Sequence, residues 1–309
     1  MKRIAIIGPG AMGCLFAYFL KPVFEELVLI DYLPERAELL NQKGIQIETS
    51  QGIKKAQIKA TAQPEEIGIV DLVLVCVKAY STRTALERAQ KIAGENTLVL
   101  SLQNGLGNLE AISAIVDKKQ ILGGTTAMGA NLVEPGFIRF AGEGETVIGE
   151  LEGETERAEK VAELFRTAGL EVKTTANLQG TIWSKVLINV GINALTALLR
   201  VRNGRLLYFP ESKSLLHQAV KEAEQVAKAK GIELLYPDAI AKVEEVARRT
   251  GENISSMLQD VRAKRKTEID AINGAIVREG EKLGISCPVN QVLTLLVKAL
   301  EASYDEQLI

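Results

Sequence analysis

The sequence predicts two domains of different class, an α/β domain over residues 1–175 and an all-α domain over residues 176–309. Three observations predict this. The first half alternates short continuous apolar runs with helical patterns, as covered strands of a parallel sheet do. After residue 176 the pattern is helical throughout, without a convincing strand. A chain of 309 residues is also long for a single hydrophobic core.

Composition narrows the class of function. Hydrophobic residues make up 47% and charged residues 25%, the balance of an ordinary globular protein. A net charge of -2 gives no bulk attraction to nucleic acid or to an anionic membrane. Cys14, Cys76 and Cys287 are far apart and odd in number, with neither disulfide-framework nor metal-ligand spacing, so a reduced, cytoplasmic setting fits best. The only histidine, His217, excludes a zinc site built on several histidines, and no metal centre is expected. Lys2 and Arg3 before an apolar run superficially suggest a signal peptide, but Gly8, Pro9 and Gly10 interrupt that run and no small-residue cleavage site follows. No uninterrupted apolar run of about 20 residues is present, so no membrane span is expected.

Residues 3–7 read as a short buried strand. Gly8, Pro9, Gly10, Ala11, Met12 and Gly13 follow at once and lead into a helix over 14–20. This is G-x-G-x-x-G between strand and helix. The first glycine allows the turn, the second lets a pyrophosphate approach the backbone, and the third lets helix and strand pack closely. The helix N-terminus adds free N–H groups and partial positive charge. A second strand, 27–30, ends in Asp31, at the separation expected of a carboxylate that bonds the adenosine ribose hydroxyls. Such a carboxylate repels a 2′-phosphate and leans toward NADH, although Arg36 stands near enough to meet a phosphate. The first domain is therefore expected to be a Rossmann-type dinucleotide-binding domain.

Residues 71–77 form another continuous apolar run, and Lys78 follows it at the carboxyl end, where open α/β sheets bind ligands. The plainer alternative is a lysine closing the strand into solvent. A helix over 82–93 and a strand over 97–102 precede Gln103, Asn104 and Gly105, again at the crevice end, although Asn-Gly is also an ordinary turn signal. Strands at 121–126, 137–140 and 146–149, with a hairpin tip at 134–136, form an antiparallel extension. A helix over 155–168 and a strand over 170–174 close the domain.

The second domain opens with a helix over 181–200 that is apolar nearly all round and therefore buried. One stripe departs from that. Lys185, Asn189 and Asn193 lie at i, i+4 and i+8, and four residues turn a helix by about 400°, so the three share a face. A buried lysine needs an anion or a strong acceptor, which suggests a wet, ligand-filled cleft. The alternative is a snorkelling lysine and two amides bonded to neighbouring loops. Further helices are expected over 212–230, 237–250, 255–283 and 289–302, with the basic run 262–266 as a solvated helix face. Asn253 or Ser255 suits an N-cap, and Ser256 then falls in a first turn where its hydroxyl and free N–H groups can hold a carboxylate, or can serve capping alone. Glu268 and Asp270 flank Ile269, and the pattern does not distinguish which carboxylate turns inward.

These residues resemble the ketopantoate reductase (2-dehydropantoate 2-reductase) family over essentially the whole length. The likeness rests on the glycine loop 8–13, on Val75 to Lys78, on Gln103 to Gly107, on Trp183 to Asn189 with Asn193, on Asn253 to Asp260, and on Thr267 to Gly274. The resemblance implies a Rossmann domain followed by a helical domain like the C-terminal one of 6-phosphogluconate dehydrogenase. It implies hydride transfer from NADPH or NADH to a 2-oxo acid on the way to pantothenate and coenzyme A. It further implies Lys185 as general acid, Glu268 on the substrate hydroxyl, and Asn104, Asn189, Asn193, Asn253 and Ser256 positioning the substrate. Lys78 and Asn104 would then lie on the nicotinamide side of the cofactor. Two departures stand out. Pro9 replaces the usual small residue, and Asp31 stands where many NADPH-using members place an arginine. The expected partner is a small 2-oxo acid, with no nucleic acid or membrane, and a homodimer is compatible with it. A related hydroxy-acid dehydrogenase with a different oxo acid, or a non-catalytic nucleotide sensor, are the alternatives.

Overall fold

A computed structural model describes residues 1–307. The chain divides into two compact units: residues 1–103 with 108–178, and residues 104–107 with 179 onward.

The first unit carries strands β1 (Arg3–Ile7), β2 (Glu26–Ile30), β3 (Ile45–Thr49), β4 (Gly52–Ala56), β5 (Lys59–Thr61), β6 (Val70–Val75), β7 (Ala93–Ser101), β8 (Ile121–Thr126), β9 (Gly129–Glu134), β10 (Phe137–Gly142), β11 (Thr146–Glu150) and β12 (Val172–Thr175). Its helices are α1 (Ala11–Leu20), α2 (Pro34–Lys43), α3 (Thr82–Arg88), α4 (Asn108–Ser113) and α5 (Glu156–Thr167). An eight-stranded sheet has the order β12-β11-β8-β7-β6-β1-β2-β5. It is parallel from β5 to β8, with Ile6 of β1 opposite Leu29 on one side and Leu74 on the other. Strand β11 runs antiparallel to β8 and parallel to β12. The order reverses between β1 and β6, which opens a crevice at the carboxyl ends of these strands. The loop 8–13 leaves β1 at that edge, Asp31 leaves β2, and Lys78 and Gln103 follow β6 and β7.

The antiparallel extension expected over 121–149 is divided between two sheets. Strands β8 and β11 join the main sheet, whereas β9 and β10 pair across the tip at Gly136 and join β3 and β4 in a four-stranded sheet. Helix α1 is apolar all round because it is covered on both sides: Phe16 meets Phe165 of α5 at 5.9 Å between centroids, and Phe19 meets Phe140 of β10 at 6.2 Å.

The second unit is built from α6 (Leu178–Leu199), α7 (Pro210–Ala229), α8 (Ala239–Arg249), α9 (Ser256–Arg262), α10 (Asn273–Lys282) and α11 (Pro288–Ala302). Helix α6 is long and apolar enough to cross a membrane by length and composition, but it forms the packed centre of this unit. Leu187, Val190 and Leu195 pack there with Leu216, Val220, Val243 and Val297. Gly191 makes that packing possible, since a Cβ on it would lie 2.8 Å from both Val220 and Val243.

The single helix expected over 255–283 is broken. Helix α9 ends at Arg262, Lys264 takes φ 51°, and a 3-10 turn over Ile269–Ala271 precedes α10. Bonds from outside the segment hold the break. Tyr304 Oη donates to Arg265 O at 2.9 Å, and Thr267 N donates to Glu301 Oε1 at 2.8 Å. The basic run 262–266 is exposed, as expected of it, but at this break and not on a continuous helix face.

Candidate active site

In the first unit the glycine loop has the shape that a pyrophosphate requires. Gly8 has φ +95°, and a Cβ on it would clash with the backbone of Val77. A Cβ on Gly13 would fall 2.1 Å from Gly8 O, so only glycine lets α1 pack this closely on β1. A Cβ on Gly10 would meet nothing within 4 Å, and no side chain caps the N-terminus of α1 beside it. Open space next to uncapped N–H groups fits a bound phosphate. Cys14 and Cys76 flank this loop, but burial pushes the Cys14 thiol up to about 12 and raises that of Cys76 as well, so neither is a nucleophile.

Asp31 sits at the end of β2 with its side chain wholly enclosed. Arg36 Nε donates to Asp31 Oδ2, Arg36 Nη2 donates to Oδ1 at 2.6 Å, and Leu33 N donates to Oδ1 at 3.1 Å. The carboxylate that the sequence assigns to the ribose is therefore already engaged.

Lys78 begins the turn after β6, and the ends of β6 and β7 are tied together beside it. Gln103 Nε2 donates to Val77 O at 2.6 Å and to Thr82 Oγ1 at 2.8 Å, while Ser101 Oγ donates to Gln103 Oε1 at 2.9 Å. Thr82 Oγ1 in turn donates to Asn108 Oδ1 at 3.0 Å. The roles of Thr82 and Ser101 escaped sequence reasoning. Their only signal in the sequence is a hydroxyl at a strand or helix end.

The second unit gathers the polar stripe of α6 with the broken segment. Lys185 is half-buried. Its desolvation draws the ammonium pKa down to about 8, while the Glu268 carboxylate pushes it the other way. Glu268 is only 8% exposed, whereas Asp270 faces outward and pairs with Lys298 at 3.2 Å, so Glu268 is the carboxylate that turns inward. Two bonds hold the turn before the lysine: Tyr236 Oη donates to Ser184 O at 2.6 Å, and Leu235 N donates to Ser184 Oγ at 2.9 Å.

One turn beyond Lys185, the Nδ2 of Asn189 is buried without a hydrogen-bond partner. An unmet buried donor costs about 1–3 kcal/mol, which makes this amide a candidate partner for a ligand atom. Asn193 is buried one turn further. There Thr196 Oγ1 donates to Asn193 O at 3.0 Å and meets Ser255 Oγ at 2.7 Å, which fastens α9 to α6. Ser255 is the N-cap of α9, accepting from Leu258 N at 3.1 Å, and Ser256 follows it in the first turn. Asn253 and Ser256 are both exposed. Asn104 also belongs to this unit. Leu106 N donates to Ala271 O at 2.8 Å, and Ala271 N donates to Glu268 O at 2.9 Å, so the 104–107 loop abuts the turn of Glu268. Gly105 is required there, because at φ +87° any Cβ would strike Ala271.

The family model described as "Ketopantoate reductase PanE/ApbA" matches residues 4–153, and its companion, "Ketopantoate reductase PanE/ApbA C terminal", matches residues 177–301. A 2-dehydropantoate 2-reductase of Archaeoglobus fulgidus is 37% identical over 305 residues, covering 98% of this chain and 99% of that protein. The ternary structure of D-mandelate dehydrogenase with NADH and anilino(oxo)acetate superposes with TM-score 0.92 at 32% identity, over 98% of this chain and 99% of that one. A PanE/ApbA family ketopantoate reductase from Ralstonia eutropha gives TM-score 0.89 at 31% identity, with coverages of 98% and 99%. The fold, the inward lysine with its carboxylate and these matches together make the chain a member of the ketopantoate reductase family.

Proposed function

We propose that the chain reduces 2-dehydropantoate to pantoate with a nicotinamide dinucleotide, at a site whose proton donor is Lys185. Family membership supports the reaction. The observation that carries the site is the Lys185 ammonium beside Glu268, with the unpartnered Asn189 amide one turn away.

When bound, the nicotinamide supplies the hydride. Residues 8–13 hold the pyrophosphate against the N-terminus of α1, and Lys78 and Asn104 face the nicotinamide side. As the ketone carbon is reduced, charge develops on its oxygen, and the Lys185 ammonium stabilises that charge and gives up its proton. A pKa near 8 keeps the lysine protonated at neutral pH while making it a readier donor than an exposed lysine. Glu268 keeps the ammonium charged and accepts the substrate hydroxyl. Asn189 and Asn193 orient the oxo acid, and Asn253 and Ser256 hold its polar end. In this reading residues 1–175 serve the cofactor and residues 176–309 the substrate.

The likeness to D-mandelate dehydrogenase favours one second reading, an oxo acid with an aromatic side chain. A panel of ketopantoate, phenylglyoxylate and pyruvate, each with NADH and NADPH, tests both. Ketopantoate is expected to give the highest kcat/KM. Turnover of phenylglyoxylate without turnover of ketopantoate would establish the second reading.

A further inference from the structure

Asn273 and Asn290 are wholly buried in the second unit, and neither belongs to the polar stripe of α6. Asn273 is the first residue of α10, directly after the turn that carries Glu268. Its Nδ2 donates to Val190 O of α6 at 3.2 Å and to Asn290 Oδ1 of α11 at 2.9 Å. Asn290 Nδ2 continues the chain of bonds, donating to Ala219 O at 3.0 Å and to Glu222 Oε2 at 2.8 Å, both on α7. The same Glu222 carboxylate accepts from Val289 N and Asn290 N at the start of α11. Helices α7, α10 and α11 are thereby tied through one amide to the backbone of α6, beside Asn189 and little more than one turn beyond Lys185.

Packing alone explains this amide poorly. Asn273 Oδ1 is buried with no hydrogen-bond partner among the described residues, a penalty that an apolar side chain would be spared. What the amide adds is a fixed point of attachment. A carbonyl oxygen has two lone pairs, so Val190 O can keep its helical bond and still accept from Asn273. On the other side, Ala271 N and Ile272 N both donate to Glu268 O, so the chain from Glu268 to Asn273 is one tight turn. The bond to Val190 O therefore joins the turn of Glu268 to the helix of Lys185.

We propose that Asn273 is a positioning residue that holds the Glu268 turn against the Lys185 and Asn189 stretch of α6, an inference that rests on Lys185 as the proton donor.

Asn273→Leu read against Asn290→Leu tests this, with melting curves and pH profiles of kcat and kcat/KM for the oxo acid turned over fastest. Both variants lose buried amide bonds and should melt at lower temperature. Only Asn273→Leu loses the bond to α6. Glu268 is the charge that acts on Lys185, since Glu222 is held by the start of α11, Asp270 by Lys298 and Glu301 by Thr267 N. With Glu268 displaced, the alkaline limb of kcat/KM should move down by about half a pH unit and kcat should fall by about tenfold. In Asn290→Leu the limb should stay in place, with kcat within about threefold of wild type. Asn273→Ala, which cannot crowd the core, should give the same shift and serves where Asn273→Leu does not fold. An unmoved limb in a folded Asn273 variant, or equal changes in Asn290→Leu, overturns the inference while leaving the role of Lys185 intact. A wild type without an alkaline limb overturns both.

Discussion

Glu268 holds up the charge of Lys185 against the burial that would remove it. The two effects oppose each other, and burial wins by enough to leave the ammonium near pKa 8. As the proposed proton donor, Lys185 must be charged, so kcat/KM should be level below pH 8 and fall by about tenfold per pH unit above it. Replacing Glu268 by Gln removes the influence that raises the lysine pKa. The alkaline limb should therefore move to lower pH, in addition to any loss of affinity for the substrate hydroxyl. A pH profile of kcat/KM for wild type and Glu268→Gln checks this, and an unmoved or higher limb contradicts it.

Asn189 should trade stability against activity. Its buried Nδ2 has no partner, so Asn189→Leu removes a desolvated donor along with the amide. Thermal unfolding should show a change within about 1 kcal/mol, or a gain, because removing an unmet polar group is close to neutral. The same variant should lose about tenfold or more in kcat/KM for the oxo acid, since the site no longer supplies that hydrogen bond. A large fall in stability with activity retained would make Asn189 a structural residue.

Two glycines of the nucleotide loop should separate folding from binding. In Gly13→Ala the new methyl collides with Gly8 O at 2.1 Å, so the variant should unfold at markedly lower temperature or fail to accumulate. In Gly10→Ala the methyl enters open space on a backbone with φ -76°, so folding should be unaffected. Dinucleotide affinity, however, should fall by about tenfold, because the methyl occupies the approach of the pyrophosphate. Melting curves with cofactor titrations on both variants decide the matter.

The parts of this structure legible in the sequence are those whose cause is local. Strand β1 and the glycine loop announce themselves because five residues of apolar strand run directly into a glycine turn in which Gly8 and Gly13 leave no room for a side chain. Helix α6 announces itself because a mostly apolar surface carries Lys185, Asn189 and Asn193 in a stripe at helical spacing. Strand β4 was invisible, since Gly52, Lys54 and Lys55 are exposed on both faces and leave no alternation to read. The break before Glu268 was equally hidden. Arg262, Lys264 and Lys266 suit a helix, and the bonds that end it come from Glu301 and Tyr304, far along the chain. That break decides which carboxylate turns inward, so Glu268 could be selected over Asp270 only by resemblance until the turn was seen. Asp31 was legible as an acid at a strand end, but not the closing of its carboxylate by Arg36, which depends on the turn into α2.

Lys185 is proposed as the proton donor to the ketone oxygen, with the dinucleotide held by other residues. Turnover of ketopantoate and dinucleotide affinity, measured together on Lys185→Ala, test it most directly. The expected result is a loss of about 10²- to 10⁴-fold in kcat with dinucleotide affinity within about threefold of wild type. Turnover within about tenfold of wild type, with the protein folded and its cofactor bound, would contradict it.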